Sequence, residues 1–354
     1  MTSTASVRPS PAVASPQRRA GAGRAVAGAA LGALLLLSIV AAVAIGPASL
    51  GLDEVASSVW AHLTGTASPL SPTRDAIVWE LRLPRVLTAA AVGAGLALCG
   101  GVMQALTRNP LADPYLLGLS SGASLGAVLV LVLGAGLLLP VAAFAGAMAA
   151  LLATLGLASA IGRITPTRTV LAGLAVSALA GAITSLVIFW AVTGDSYREI
   201  LSWLLGSLAG ARWPAVAIAG VALIVIGLPL LLSGRLLDAF VLGDTAAAAL
   251  GVPVQGVRWT LLALSALLTG ALVSVSGSIG FVGLVLPHAV RLVAGPGNRA
   301  LLPLSALVGG LFLVWADTLA RTAFDPRELP VGIVTALVGA PVFAVLLVRR
   351  RAEA

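Results

Sequence analysis

Few side chains in this sequence could do chemistry. Two histidines, His62 and His288, stand far apart, and Cys99 is the single cysteine. One cysteine forms no intrachain disulfide and leaves a thiolate metal site short of ligands. Two distant imidazoles do not make a zinc site or a hydrolytic triad. His288, in "LPHAVR", sits near a predicted helix end, where backbone partners can satisfy a neutral ring. Asp317 lies inside an apolar run, where a carboxylate is costly. Arg321 follows one helical turn later, so the spacing predicts an i,i+4 pair near one membrane interface. The inventory therefore gives no catalytic residues and no metal site.

The elements that would have to position any chemistry are membrane helices. The chain has 354 residues, of which 59% are hydrophobic and 10% charged. A soluble domain carries about 25% charged residues. The mean hydropathy of +1.07 excludes a soluble enzyme and gives a polytopic protein of the bilayer. All 21 basic residues are Arg, and the net charge is +8. No basic stripe with interleaved aromatics is visible, so nucleic acid is not a partner. The arginines fall between apolar runs, as the positive-inside rule requires.

Residues 1–24, rich in Ser, Pro, Ala and Arg, read as a disordered cytoplasmic tail. The run from Ala25 to Gly46 is longer than a signal-peptide core of about 7–15 residues and reads as the first span. Nine more apolar segments follow: 84–106, 115–138, 140–162, 169–193, 214–232, 256–275, 279–294, 301–320 and 330–348. From Tyr115 to Gly162 there is no charge. One helix of that length would reach roughly 70 Å, so the chain must double back, with Gly134, Gly136 and Pro140 as the hinge. "SVSGSIG" (274–280) should break the run from Trp259 to Val290. With the N-terminus inside, fourteen arginines fall on the inner side and seven on the outer. Ten spans then return the C-terminus to the inside. Two outer segments, 52–63 and 196–208, read as interfacial helices with Trp at the membrane boundary. Glycine-rich stretches such as "GAGLALCGG" (93–101) suit close helix packing.

Two inner connections stand out. "TRNPLADPYLLGLSSGA" (107–123) interrupts the apolar chain with Arg108, Asn109 and Asp113, and Pro110 and Pro114 stop the helix. The loop at about 233–254, "SGRLLDAFVLGDTAAAALGVPV", holds a short Ala-rich helix. Asp244 stands at its start, and Gly251 and Pro253 follow it.

The phrase "LRLPRVLTAAAVGAGLALCGGVMQALTRNPLADPYLLGLSSGA" (81–123) resembles the signature of FecCD-type permeases of ABC importers. These type II importers carry ferric siderophores, haem and cobalamin. Three further segments match in order: "VLGDTAAAALGV" (241–252), "GSIGFVGLVLPHAVRLVAG" (277–295) and "RELPVGIVTALVGAPVFAVLL" (327–347). The resemblance runs from about residue 25 to the end. It implies an all-α, ten-helix subunit of the cytoplasmic membrane, 25–354, paired with a second permease subunit, either a copy of itself or a paralogue. It implies two ATPase subunits that bind ATP, and an extracytoplasmic substrate-binding protein. This chain carries no GxxxxGK[ST] phosphate loop, binds no cofactor of its own on this reading, and is not an enzyme. The expected cargo is a ferric siderophore or a related iron or haem complex, with cobalamin as the alternative. An ion-gradient-driven transporter is a third reading, but such proteins place charges near the bilayer midplane.

The resemblance also assigns roles by position. Arg82 and Arg85 of "RLPR" and Arg327 of "PRELP" match residues that pair with carboxylates of the binding protein. Asp244, Ala246, Leu250 and Gly251 fall in the segment that couples to the ATPases. Asn109 falls at a cytoplasmic gate. Thr165 and Thr167, in "RITPTRT", fall near a second gate segment, where Pro166 interrupts the pattern and helix capping is the plainer role.

Overall fold

The computed structural model describes residues 16–160, 165–191, 196–241, 243–324 and 326–351. The first fifteen residues of the expected tail, and Arg163 and Ile164 of the second gate segment, lie outside them.

Among the described residues the fold is helical, with ten apolar helices antiparallel in sequence order. They are α1 (Pro16–Ala44), α3 (Pro72–Thr107), α4 (Leu119–Val132), α5 (Leu139–Ala160), α6 (Pro166–Ala191), α8 (Trp213–Leu232), α11 (Val254–Ser276), α12 (Val282–Ala294), α13 (Asn298–Thr322) and α14 (Val331–Arg351). Four short helices join them: α2 (Leu52–Thr64), α7 (Ser196–Leu204), α9 (Gly234–Val241) and α10 (Asp244–Ala249). The helix of α1 begins at Pro16, inside the segment expected as a tail. The end of the bundle where α1 begins and α14 finishes is called the terminal end below.

α3 is the axis of the bundle. Its 36 residues reach about 54 Å, well beyond a hydrocarbon core of about 30 Å. The sequence placed this span at 84–106; the helix instead starts at Pro72, with one widened turn over Ile77–Arg82. A proline at the first helical position suits that start. The extension is latched to α2. His62 stacks on Trp79 with ring centroids 4.2 Å apart, and its Nε2 lies 2.8 Å from Asp75 Oδ2.

α3 packs against α13 and α12 through glycine. A Cβ at Gly93 would strike the Gly309 carbonyl, and one at Gly100 would strike the Gly283 carbonyl. Removing the side chains lets the backbones touch, which is how helices gain contact where no water is expelled. Cys99 is buried in the same stretch, its Sγ donating to the Ser265 carbonyl.

The expected reversals occur, but with shorter helices. The 115–138 span becomes α4, only 14 residues or about 21 Å. It is preceded by one tight turn at Pro114–Leu117 and a left-handed Gly118. The hinge before α5 lies at 133–138, with Gly134 left-handed and Pro140 in α5's first turn. The 279–294 span becomes α12, 13 residues long, because Gly277 and Phe281 both adopt positive φ after α11.

Candidate functional site

The breaks before α4 and between α11 and α12 meet inside the bundle. Asp113 Oδ1 accepts the Tyr115 N–H at 2.8 Å, fixing the turn that aims the phenol. Tyr115 Oη then donates to the Ile279 carbonyl at 3.0 Å and accepts from the Ile279 N–H at 3.3 Å. One hydroxyl thus satisfies both orphaned backbone groups of a buried, non-helical residue within the helical bundle. Irregular backbone there is tolerated only where it is buried in protein or lines a cavity. Beside it, Ser120 and Ser278 hydroxyls bond at 2.6 Å. They line a chamber of about 230 Å³ with Ser121, Ser124, Thr184 and Leu204. The lining is rich in hydroxyls and carries no charge. The hydropathy pattern does not bring these two segments together. The signal was the pair of Gly- and Ser-rich breaks in "GLSSGA" and "SVSGSIG", which neither segment reveals alone.

At the end opposite the termini, α3 and α13 build a cationic chamber of about 330 Å³. Arg82, Arg85, Arg212, Arg321 and Glu328 line it. Arg85 grips Asp317 with two nitrogens, Nε to Oδ2 at 2.9 Å and Nη2 to Oδ1 at 3.0 Å, while its Nη1 reaches Glu328 at 2.6 Å. Arg82 donates to the carbonyls of Val43, Ala44 and Ala48 where α1 ends. The carbonyls of Val43 and Ala44, in the last turn, lack helical partners, and a guanidinium answers them. Arg321 donates to the Ala42 carbonyl and to Thr318. The expected Asp317–Arg321 pair is only the weaker contact, with Nε at 3.9 Å. Asp317 turns to Arg85 instead, because the close approach of α3 and α13 brings a fork within bidentate reach. Of the three arginines assigned to docking, Arg82 and Arg85 form the buried wall of this chamber, and Arg327 is exposed outside its lining.

At the terminal end, Asp244 at the start of α10 accepts from Arg258 at 2.8 Å and lies 3.5 Å from Arg108. The Arg258 hydrogen bond, together with the Arg258 and Arg108 charges, holds its carboxyl below the usual range. The clamp joins α10 to the ends of α3 and α11. Ala247 is fully buried against the bundle and Ala246 half-buried. Leu250 stands 66% exposed at the tip, and Gly251 closes the helix in the left-handed conformation. The same end holds the gate candidates. Asn109 is exposed, and its side-chain oxygen accepts the Leu111 N–H at 3.0 Å. Thr165 caps α6, its Oγ1 accepting the Arg168 N–H and its carbonyl the Thr169 N–H. Thr165 and Thr107 line one small void of about 20 Å³, so the turn before Asn109 and the start of α6 do converge. Thr167 is exposed in the first turn of α6. His288 is buried within α12. Among the described residues no three His, Cys, Asp or Glu side chains are grouped to hold a metal.

Residues 34–349 match the FecCD transport family. The cobalamin import permease BtuC of Halobacterium salinarum is 42% identical, covering 95% of this chain and all of that one. The hemin transport permease HmuU of Yersinia pestis is 40% identical over 91% of this chain and 96% of its own. A solved metal-chelate type ABC transporter, in an inward-facing conformation, superposes with a TM-score of 0.79 at 33% identity. It covers 91% of this chain and 98% of its own. These matches set aside the ion-gradient-driven reading. The chain belongs to the FecCD transport family and is the non-catalytic, membrane-spanning permease subunit of an ABC importer, whose ATPase is a separate chain.

Proposed function

We propose that this permease carries an intact metal chelate, a ferric siderophore first, across the cytoplasmic membrane. The observation that carries the reading is the uncharged hydroxyl lining at the meeting of the two helix breaks. Hydroxyls can accept and donate to the oxygen-rich edge of a chelate, but they do not compete with it for the metal as carboxylates or imidazoles would. The solved metal-chelate transporter supports that cargo class. Cobalamin is the second reading, supported by the relatives named for it at 42% and 45% identity.

A binding protein would deliver the cargo to the end opposite the termini. Arg327 would meet its carboxylates directly, while Arg82 and Arg85 shape the cationic chamber behind the rim. Each exposed ion pair is worth at most about 1 kcal/mol, so charge steers the encounter and shape holds the complex. The ATPase would grip α10, with Leu250 as its apolar contact and the Asp244 clamp relaying the push to α3 and α11. Asn109 and the start of α6 would close the pathway at that end. A second permease subunit would cover part of the apolar face of α6, where Leu171, Leu174, Phe189 and Trp190 are exposed. Both termini would lie in the cytoplasm.

Competition in reconstituted vesicles tests the cargo. Unlabelled ferric siderophore should suppress uptake of a radioiron siderophore, and cobalamin should not. Saturable cobalamin uptake with no siderophore uptake would give the second reading.

A further inference from the structure

At the terminal end a groove of about 540 Å³ opens between α1, α12 and α13. Its walls are Ala27, Leu31, Ala289, Val293, Leu304 and Val308. Packed interiors leave few voids larger than a water molecule, so this is not a packing defect. An apolar groove does not hold water, and in a bilayer hydrocarbon fills it. Val293 on its wall is 92% exposed.

The mouth of the groove is cationic. Arg24 lines it, and its Nη2 lies about 3.7 Å from where a side chain on Gly295 would begin. The guanidinium therefore sits over the C-terminal turn of α12, and among the described residues no carboxylate pairs with it. Arg291, in the same turn, donates to the Pro296 carbonyl at 3.3 Å, and Arg299 is exposed in the first turn of α13. Asp238, which faces Arg291, already accepts from the Asn298 N–H at 2.7 Å and from Asn298 Nδ2 at 3.0 Å. Positive charge at the rim and hydrocarbon below are complementary to one class of molecule, since basic pockets between membrane helices hold anionic headgroups.

We propose that this groove is a binding site for one anionic phospholipid, with an acyl chain between α1, α12 and α13 and the phosphate on Arg24. The site is separate from the cargo pathway. It would tie α1 to α12, the helix that begins at the break after α11.

Native mass spectrometry of the purified permease, offered phosphatidylglycerol or phosphatidylcholine, tests this. The wild-type chain should retain one phosphatidylglycerol more tightly than phosphatidylcholine. Arg24→Gln should weaken that retention about fivefold, as removal of one interfacial basic residue predicts. Arg24→Lys should preserve it, which separates loss of charge from misfolding. Ala27→Phe, which fills the groove, should remove the lipid while leaving Arg24 in place. Equal retention of the two lipids, or no change in Arg24→Gln, overturns the proposal. So does an Ala27→Phe variant that keeps the lipid but loses self-association, because the groove then faces a second copy of the chain.

Discussion

Arg85 and Asp317 stand 232 residues apart, yet their side chains form a two-pronged ion pair in the buried wall of the cationic chamber. The fork locks α3 to α13 where the bundle opens. A buried pair is not by itself a gain over apolar packing, but leaving one partner alone is strongly destabilising. Asp317→Ala should therefore cost about 3–5 kcal/mol, because Arg85 keeps only Glu328. The double variant Asp317→Ala, Arg85→Met should recover much of that loss. Thermal unfolding of the detergent-solubilised variants reads both, and equal stability of the single variant and wild type would contradict the geometry.

The glycine contacts make a second prediction. Gly100→Ala places a methyl against the Gly283 carbonyl, where only backbone could yield. Overpacking of this kind costs about 1–3 kcal/mol. Gly156→Ala meets nothing nearby and should be neutral or mildly stabilising by helix propensity. The yield of monodisperse protein should fall for the first and hold for the second.

Leu250 and Ala247 separate contact from fold at α10. Leu250→Asp should leave the permease stable and reduce transport-coupled ATP hydrolysis in the assembled importer. Ala247→Phe should lower stability itself, since Ala247 is fully buried. A Leu250→Asp importer with normal coupling would show that α10 is not the ATPase contact.

The Asp244 clamp carries a pH signature. Its carboxyl is held below the ordinary aspartate value of about 3.9, chiefly by the Arg258 hydrogen bond. A depressed folded-state value gives stability that is present above the ordinary value and lost as pH falls through the depressed one. Wild type should then exceed Asp244→Asn by under about 1 kcal/mol at neutral pH, because the carboxylate is partly exposed to solvent. The gap should stay constant down to about pH 5 and close below the ordinary aspartate value. Melting curves of the two proteins across that range decide it.

Tyr115→Phe removes both bonds to Ile279 and leaves its buried N–H and C=O unpaired, a cost of about 1–3 kcal/mol. Uptake should fall more than expression does, because the break borders the hydroxyl chamber. Uptake and expression falling in step would assign Tyr115 to folding alone.

Hydropathy made all ten helices legible, because length and charge-free runs suffice to place a span. It did not show where α4 and α12 begin. Their starts depend on Gly118, Gly277 and Phe281 adopting positive φ, and on Tyr115 capping a residue 164 positions away. The extension of α3 to Pro72 was hidden because Arg74, Asp75 and Glu80 read as loop when they are the wet turns of a helix latched to α2. Arg82 and Arg85 were found by motif, but not their burial, since both partner sets come from distant helices. Asp317 was assigned its neighbour in sequence, where the fold supplies a better-placed guanidinium from α3.

We propose that this permease moves an intact ferric chelate on ATP. Radioiron siderophore uptake into vesicles holding the permease, its ATPase and its binding protein is the direct measurement. Uptake should occur only with ATP at the ATPase face, should be abolished without the binding protein and should be indifferent to imposed proton or sodium gradients. Uptake driven by an ion gradient without ATP, or ATP-driven uptake of cobalamin alone, would contradict it.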